Sequence, residues 1–371
     1  MMDENTTANH NCSNTTTAVR LPYAFLDPAW QVYLTAAFYL KCAVIAVGIF
    51  GTVANGLTIF ALIAHHARDA KKRVINLLII NQNVLDLLCC IMFTMSTGIE
   101  ISGMYITGAL GYFLCAVFVN GGANHCALYG SIINLVALTG ERYLKVVRPF
   151  WSKKHLKRWM VYAAMVFAWT GGIFYAAPPG FVKSRIESGL CLEHYDSLET
   201  QLIYGGFAVA IFFFLPLIVF VYCYGRIVYV MRRQMRVMAG HTAEGSSQMS
   251  GSQAQSKRVK WNIIKTMIIV SVAFIVSWSP INVLAFYALQ ASRLSWFHAS
   301  IQTPEVSATA YHWPIILAYM ELVLAFYATF VGATPYMVLS VYPAMIVVYI
   351  NICVNPFIYA LKHKSSIKCR F

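Results

Sequence analysis

Charge is what this 371-residue chain has least of: Asp, Glu, Lys and Arg together make up 11% of it, and only 14 residues are acidic. Soluble domains carry about 25% charged residues, so a soluble globule is excluded. Lys and Arg number 28, for a formal charge of +14. They are not clustered on a polar domain, which removes the case for a nucleic-acid partner. No nucleophile elbow, phosphate loop or zinc-ligand spacing occurs, and the histidines are scattered, so nothing argues for an enzyme. No internal repeat is visible, which counts against an inverted-repeat transporter. The first 30 residues are polar and rich in Asn and Thr, so no cleavable signal peptide is expected and the first span must itself start insertion.

What the chain does have is long apolar runs. Hydrophobic residues make up 59% of it, and its 23 Phe, 22 Tyr and 8 Trp sit mostly inside those runs. A crossing helix needs about 20 apolar residues at about 1.5 Å each. Residues 42–64, 159–182, 200–225 and 266–292 contain no Asp, Glu, Lys or Arg, and 74–99 contains only Asp86. The run 101–140 is too long for one span, so 101–112 reads as an outer loop leading into a helix. Parity settles the awkward stretch after Arg293, where one helix or two would fit. Sequons at Asn5, Asn11 and Asn14 are useful only outside the cell. Of the 28 basic residues, 23 fall in the alternate segments 68–73, 142–158, 226–265 and 362–370. Because Lys and Arg are retained in short cytoplasmic loops, this implies seven crossings, an outer amino end and an inner carboxyl end.

The expectation is an all-α membrane protein, a seven-transmembrane helix bundle. It comprises an extracellular tail (1–35), a bundle (36–361) with a flexible Gly/Ser/Gln-rich inner loop about 234–259, and a short cytoplasmic tail (362–371).

Ionisable groups inside spans are costly and therefore informative. Asp86, twelve residues into the second span, should face the bundle interior and bind a cation, share a proton or accept hydrogen bonds. Glu141-Arg142-Tyr143 closes the third span, where an acid beside an arginine can pair locally and open when a partner offers its own acceptor. Pro216, Pro280 and Pro356 interrupt spans five, six and seven beside polar residues, suggesting a bundle built to move. Cys115 and Cys191 lie on the outer side and can bridge. Cys42, Cys89, Cys90, Cys126, Cys223 and Cys353 read as buried small apolar residues, and Cys369, beside Lys368 and Arg370, as a palmitoylation site.

In order along the chain, residues 51–55, 76–86, 131–143, Trp169, Pro216 and Tyr224, 274–280 and the Asn355-Pro356-x-x-Tyr359 end resemble the rhodopsin-like G-protein-coupled receptors, from about Leu40 to Cys369. The resemblance implies a buried, allosteric sodium site at Asp86, Ser131, Asn351 and Asn355. It implies an inactive state held by Glu141 and Arg142, with Tyr143 in the same triplet. Arg142, Tyr224 and Tyr359 would rearrange to admit a heterotrimeric G protein, and Phe274 and Trp278, beside Pro280, would relay ligand binding inward. It further implies an outer disulfide between Cys115 and Cys191, a short amphipathic C-terminal helix on the lipid bilayer, and residence in the plasma membrane.

Departures from the family pattern are specific. Cys115 stands 27 residues before Arg142, two more than usual, so the outer helix should bulge or the loop pack differently. Gln82-Asn83 replaces the usual Leu-Ala, and Lys260 stands where a glutamate partner for the arginine often lies, implying a lower barrier to activation. Pro280 and Pro356 are 76 residues apart, about twice what the family needs. The excess at 295–335 is either an unusual outer loop with an interfacial helix at 313–330 or a retained intron, and the spliced transcript separates the two.

Asn124 takes the place of the aspartate that pairs a monoamine, and residues 201–217 offer no serine for a catechol. Tyr349 stands where a retinal receptor has its Schiff-base lysine, so no retinal cofactor is expected. An extracellular peptide, lipid or small polar molecule remains, bound among Asn124, His125, Leu128 and Trp278 with Asn282, Met345 and Tyr349. The rival function is a transporter or channel conducting past Asp86.

Overall fold

The computed structural model describes residues 28–66, 73–187, 189–194, 197–243, 265, 268–280, 282 and 346–353. The helices are α1 (Pro28–His66), α2 (Arg73–Ser102), α3 (Gly108–Leu114), α4 (Gly122–Val147), α5 (Pro149–His155), α6 (Arg158–Val182), α7 (Leu198–Val209) and α8 (Leu215–Ala243). A hairpin of β1 (Ser184–Glu187) and β2 (Leu190–Glu193) lies between α6 and α7. A further apolar helix covers Ile268–Pro280, and residues 346–353 are helical. Asn5, Asn11, Asn14, Met345, Asn355, Pro356, Tyr359, Cys369, the 295–335 insertion and the C-terminal helix lie outside the described residues.

Four stretches are long and apolar enough to cross a bilayer: Leu34–Ala64, Leu77–Ser102, Arg158–Val182 and Ile203–Gln234. Their outer faces carry bulky apolar side chains, with Phe60 73% and Phe174 78% exposed, a surface that only lipid satisfies. The 26-residue α4 is long enough but too polar to join that group. The cause is its central position: Asn124, Ser131, Asn134, Thr139, Glu141 and Arg142 are all buried in it. Small residues let its neighbour approach, since a Cβ on Gly130 would lie 3.1 Å from the Ala168 carbonyl and one on Gly180 3.1 Å from the Gly122 Cα. Polar side chains elsewhere turn back onto their own helices, as Thr52 does to the Gly48 carbonyl, Thr94 to that of Cys90 and Ser279 to that of Ile275.

The two-residue excess before Arg142 has a visible form. Residues Cys115–Val119 make a π-helical turn, which takes up extra chain without ending the helix. Asn120 and Gly121 follow, Gly121 at φ +70° in the left-handed region, and α4 restarts at Gly122. Asn120 ties this break to the outer hairpin, donating to Ser184 Oγ (2.7 Å) and the Leu192 carbonyl (3.2 Å). Cys115 and Cys191 form a disulfide with Cα atoms 5.5 Å apart, and the Ile106 amide donates to the Gly189 carbonyl (3.0 Å), so both outer loops converge here.

Three boundaries and the burial of two cysteines differ from the sequence reading. The first helix starts at Pro28, not residue 36, because proline is tolerated in a first turn. The outer loop is shorter than 101–112, since α2 runs to Ser102 and α3 starts at Gly108. The helix α8 continues to Ala243, into the expected 234–259 loop, since its Arg, Met and Gln residues are good helix formers that continue it past the apolar stretch. Cys42 is exposed and Cys126 half-buried, each facing outward from its helix.

Gly121 is the sharpest test of the third-span break. Gly121→Val places a β-branched residue at positive φ with its Cβ 2.8 Å from His125 Nδ1, so a loss of about 2 kcal/mol or more is expected. Gly98→Ala, in a helix with nothing within 4 Å, should be neutral or slightly stabilising. Thermal unfolding of the two purified variants beside the parent chain checks this.

Candidate functional site

The centre of the bundle is a polar chain around Asp86, which is fully buried. Gln82 and Asp86 are four residues apart and share one face of α2, and Ser131 and Asn134 share one face of α4. Gln82 Nε2 donates to Asp86 Oδ1 (3.1 Å) and also to Ser131 Oγ, while Ser131 Oγ donates to Asp86 Oδ1 (2.6 Å). The three groups close a ring. Asn134 Nδ2 donates to Gln82 Oε1 (2.8 Å) and to the Leu78 carbonyl (3.0 Å). Asn81 Nδ2 donates to Asn134 Oδ1 (2.9 Å), and Trp169 Nε1 donates to Asn81 Oδ1 (3.0 Å). One connected path thus runs from α2 through α4 to α6. Asn351 is buried in the 346–353 helix with Oδ1 unpartnered among the described residues.

Toward the outer side, Asn124 Nδ2 donates to the Tyr349 hydroxyl (2.8 Å) and Cys89 Sγ donates to Asn124 Oδ1 (3.2 Å). The Tyr349 ring stacks on Phe93 at 3.5 Å between centroids. Leu128 and Trp278 are buried in the same core, and Asn282 donates to the Trp278 carbonyl (2.7 Å) within its own helix, beside Pro280. His125 points elsewhere: it stacks on Tyr129 at 5.8 Å, and Tyr129 in turn stacks on Phe212 and meets Tyr175 edge-on. The expected outer cluster is therefore divided, with Asn124 and Tyr349 on one side and His125 with the tyrosines on the other. From Trp278 an aromatic series leads inward through Phe274 (5.5 Å), Phe220 (5.5 Å) and Tyr224 (6.4 Å).

At the inner end Glu141 and Arg142 are each 6% exposed. Arg142 Nε lies 3.4 Å from Glu141 Oε2, longer than a good hydrogen bond, and Lys145 Nζ engages the other carboxylate oxygen. Arg142 Nε and Nη2 find no hydrogen-bond partner among the described residues. Tyr224 shares a hydrogen bond with Thr139 (3.1 Å), one turn above Arg142, and Tyr143 packs near Tyr222. Sequence reasoning gave no individual role to Phe93, Thr139, Asn81 or Asn134, and read Cys89 as an apolar filler although its thiol donates to Asn124. The i, i+3 and i, i+4 spacings 131/134 and 82/86 were the available signal for the central chain.

Buried polar side chains inside apolar helices, with a buried acid–arginine pair at the inner end, fit a multi-pass membrane protein. The sequence pattern of the family described as 7 transmembrane receptor (rhodopsin family) matches residues 54–325, and the chain belongs to that family. Among similar proteins, Melanopsin-A of Danio rerio is 29% identical over 325 residues, covering 82% of this chain and 52% of that protein. Rhodopsin of Sminthopsis crassicaudata is 26% identical over 287 residues, covering 74% of this chain and 75% of that protein. The chain spans about half to three-fifths of the length of the melanopsins among these relatives, 52% to 61%. The crystal structure of squid rhodopsin superposes with a TM-score of 0.61 at 19% identity, covering 91% of this chain and 86% of that one, and so shares its fold.

The Asn81–Trp169 link can be measured directly. Asn81→Ala and Trp169→Phe, singly and together, should give a double-mutant coupling of about 0.6 to 1.7 kcal/mol in unfolding free energy, the range for interhelical hydrogen bonds in membranes. Additive single effects would place the two side chains out of contact.

Proposed function

We propose that the chain is a ligand-activated receptor of the plasma membrane, amino end outside and carboxyl end cytoplasmic, that promotes nucleotide exchange on heterotrimeric G proteins. The observation that carries this reading is Arg142: a buried guanidinium whose Nε and Nη2 lack hydrogen-bond partners among the described residues, and whose neighbouring carboxylate is shared with Lys145. An unsatisfied buried cation is costly, and a partner offering backbone carbonyls at the inner end relieves that cost. Asn355, Pro356 and Tyr359 complete the switch in this reading. Glycans on Asn5, Asn11 and Asn14 and an acyl chain on Cys369 belong to the same topology. Conduction past Asp86 fits less well, because Gln82 and Ser131 close over its carboxylate.

The ligand is a peptide, lipid or small polar molecule held without a covalent bond near Asn124, Leu128, Trp278 and Tyr349. A phenol cannot condense with an aldehyde to a Schiff base, and no lysine occurs from residue 266 to 361. Catalysis has no constellation to support it among the described residues.

Two outcomes test the reading. In membranes carrying the chain, G-protein nucleotide exchange should exceed that of control membranes, and Arg142→Ala should return it to the control level; exchange indifferent to the substitution removes the receptor mechanism. Incubation with retinal followed by borohydride reduction should leave no stoichiometric retinyl group on any lysine of the chain, and a specific adduct at one lysine would overturn the non-opsin assignment.

A further inference from the structure

Family resemblance implies a sodium ion held by Asp86, Ser131, Asn351 and Asn355, and the residues present do not fit it. A sodium ion needs lone pairs from several oxygens around the carboxylate. The lone pair of Ser131 that faces the site accepts from Gln82 Nε2, and Ser131's own proton goes to Asp86 Oδ1. The same amide nitrogen donates to Asp86 Oδ1 at 3.1 Å. Two N–H groups, the positive end of an amide dipole, therefore point at the two oxygens nearest the place a cation would occupy. Gln82 is 1% exposed and cannot turn away without cost, because its Oε1 is fixed by Asn134 Nδ2 at 2.8 Å, and Asn134 is itself held by Asn81 and the Leu78 carbonyl.

We propose that the Gln82 side-chain amide is a built-in substitute for the sodium ion, closing the Asp86–Ser131 site and making the receptor insensitive to sodium. Asn351 Oδ1, unpartnered among the described residues, is a remnant of the cation shell. A leucine at position 82 has no donor to offer and ends one atom short of the glutamine amide, so Gln82→Leu returns the lone pair of Ser131, and the space beside it, to a cation.

The full chain, purified in nanodiscs, is unfolded thermally in sodium chloride and in N-methyl-D-glucamine chloride at equal ionic strength. The wild-type midpoint is expected to be the same in both salts, and Gln82→Leu, or Gln82→Met should the leucine variant not fold, should gain a sodium-specific rise of about 2 to 4 °C. Sodium-23 line broadening on the wild-type protein, which needs no variant, should show no saturable excess over empty nanodiscs. A sodium-specific rise or saturable broadening in the wild type overturns the proposal. So does a folded Gln82 variant that remains indifferent to sodium, since Gln82 would then not be what closes the site. Neither readout involves ligand or G protein, so failure here leaves the receptor reading intact, and failure of that reading leaves this one standing.

Discussion

The structure is organised by the need to satisfy one carboxyl group inside an apolar bundle. An acidic group at bilayer depth costs about 2.5 to 3.5 kcal/mol on insertion scales, and a donor recruited to meet it brings polar atoms of its own. Gln82 and Ser131 serve Asp86; the Gln82 carbonyl then needs Asn134, the Asn134 carbonyl needs Asn81, and the Asn81 carbonyl needs the Trp169 indole. Each step is forced by the one before it, because an unmet amide in hydrocarbon costs more than a hydrogen bond returns. Three helices are thereby fixed in rotation and height by a requirement that starts at a single residue.

The other spans are attached differently. The fifth and seventh helices meet the frame largely through rings, Phe212 on Tyr129 and Tyr175 and Tyr349 on Phe93, and the sixth meets the fifth through Phe274 on Phe220. Ring contacts hold area without demanding one register, whereas hydrogen bonds are directional. Buried atoms unpartnered among the described residues occur on this side at Ser271 Oγ and Asn351 Oδ1, and within the first, second and third spans at Asn55, Asn83 and Arg142. The outer part of the fifth span is tied to α6 by the reciprocal Tyr175–Tyr204 bonds, so motion falls to the inner parts of the helices that carry Pro216 and Pro280, where Thr139–Tyr224 is a link to be broken, as Asn124–Tyr349 is at the seventh.

The seven-span family fold and the burial of Asp86, Arg142, Asn124 and Tyr349 were legible because each is a local statement, a run without charge or a residue type at a depth where it is expensive. The pairing of Gln82 with Ser131 was not. Spacing shows that 82 and 86 share a face, but the height of α4 against α2 depends on how α4 seats between α2 and α6, where Gly130 meets the Ala168 backbone and the Leu85 side chain, and no single-helix pattern encodes it. The surplus before Arg142 was legible as a length, while its division into a π-helical turn and a left-handed glycine depends on where the disulfide anchors Cys115. Helix ends were read short because charge was taken to stop a helix, although it stops only the apolar stretch: α8 continues as helix beyond its apolar part.

The outer site has a bearing on ligand chemistry that follows from the same accounting of donors and acceptors. Asn124 gives one N–H to Tyr349, and its oxygen accepts from the Cys89 thiol, the weaker partner. The amide carries a second N–H, so in the proposed pocket a ligand carbonyl would be met by that proton with the Tyr349 bond intact, while a ligand hydroxyl or amide N–H would take the place of the thiol. In either case the 2.8 Å bond that joins the third span to the seventh need not be broken by the ligand's polarity alone.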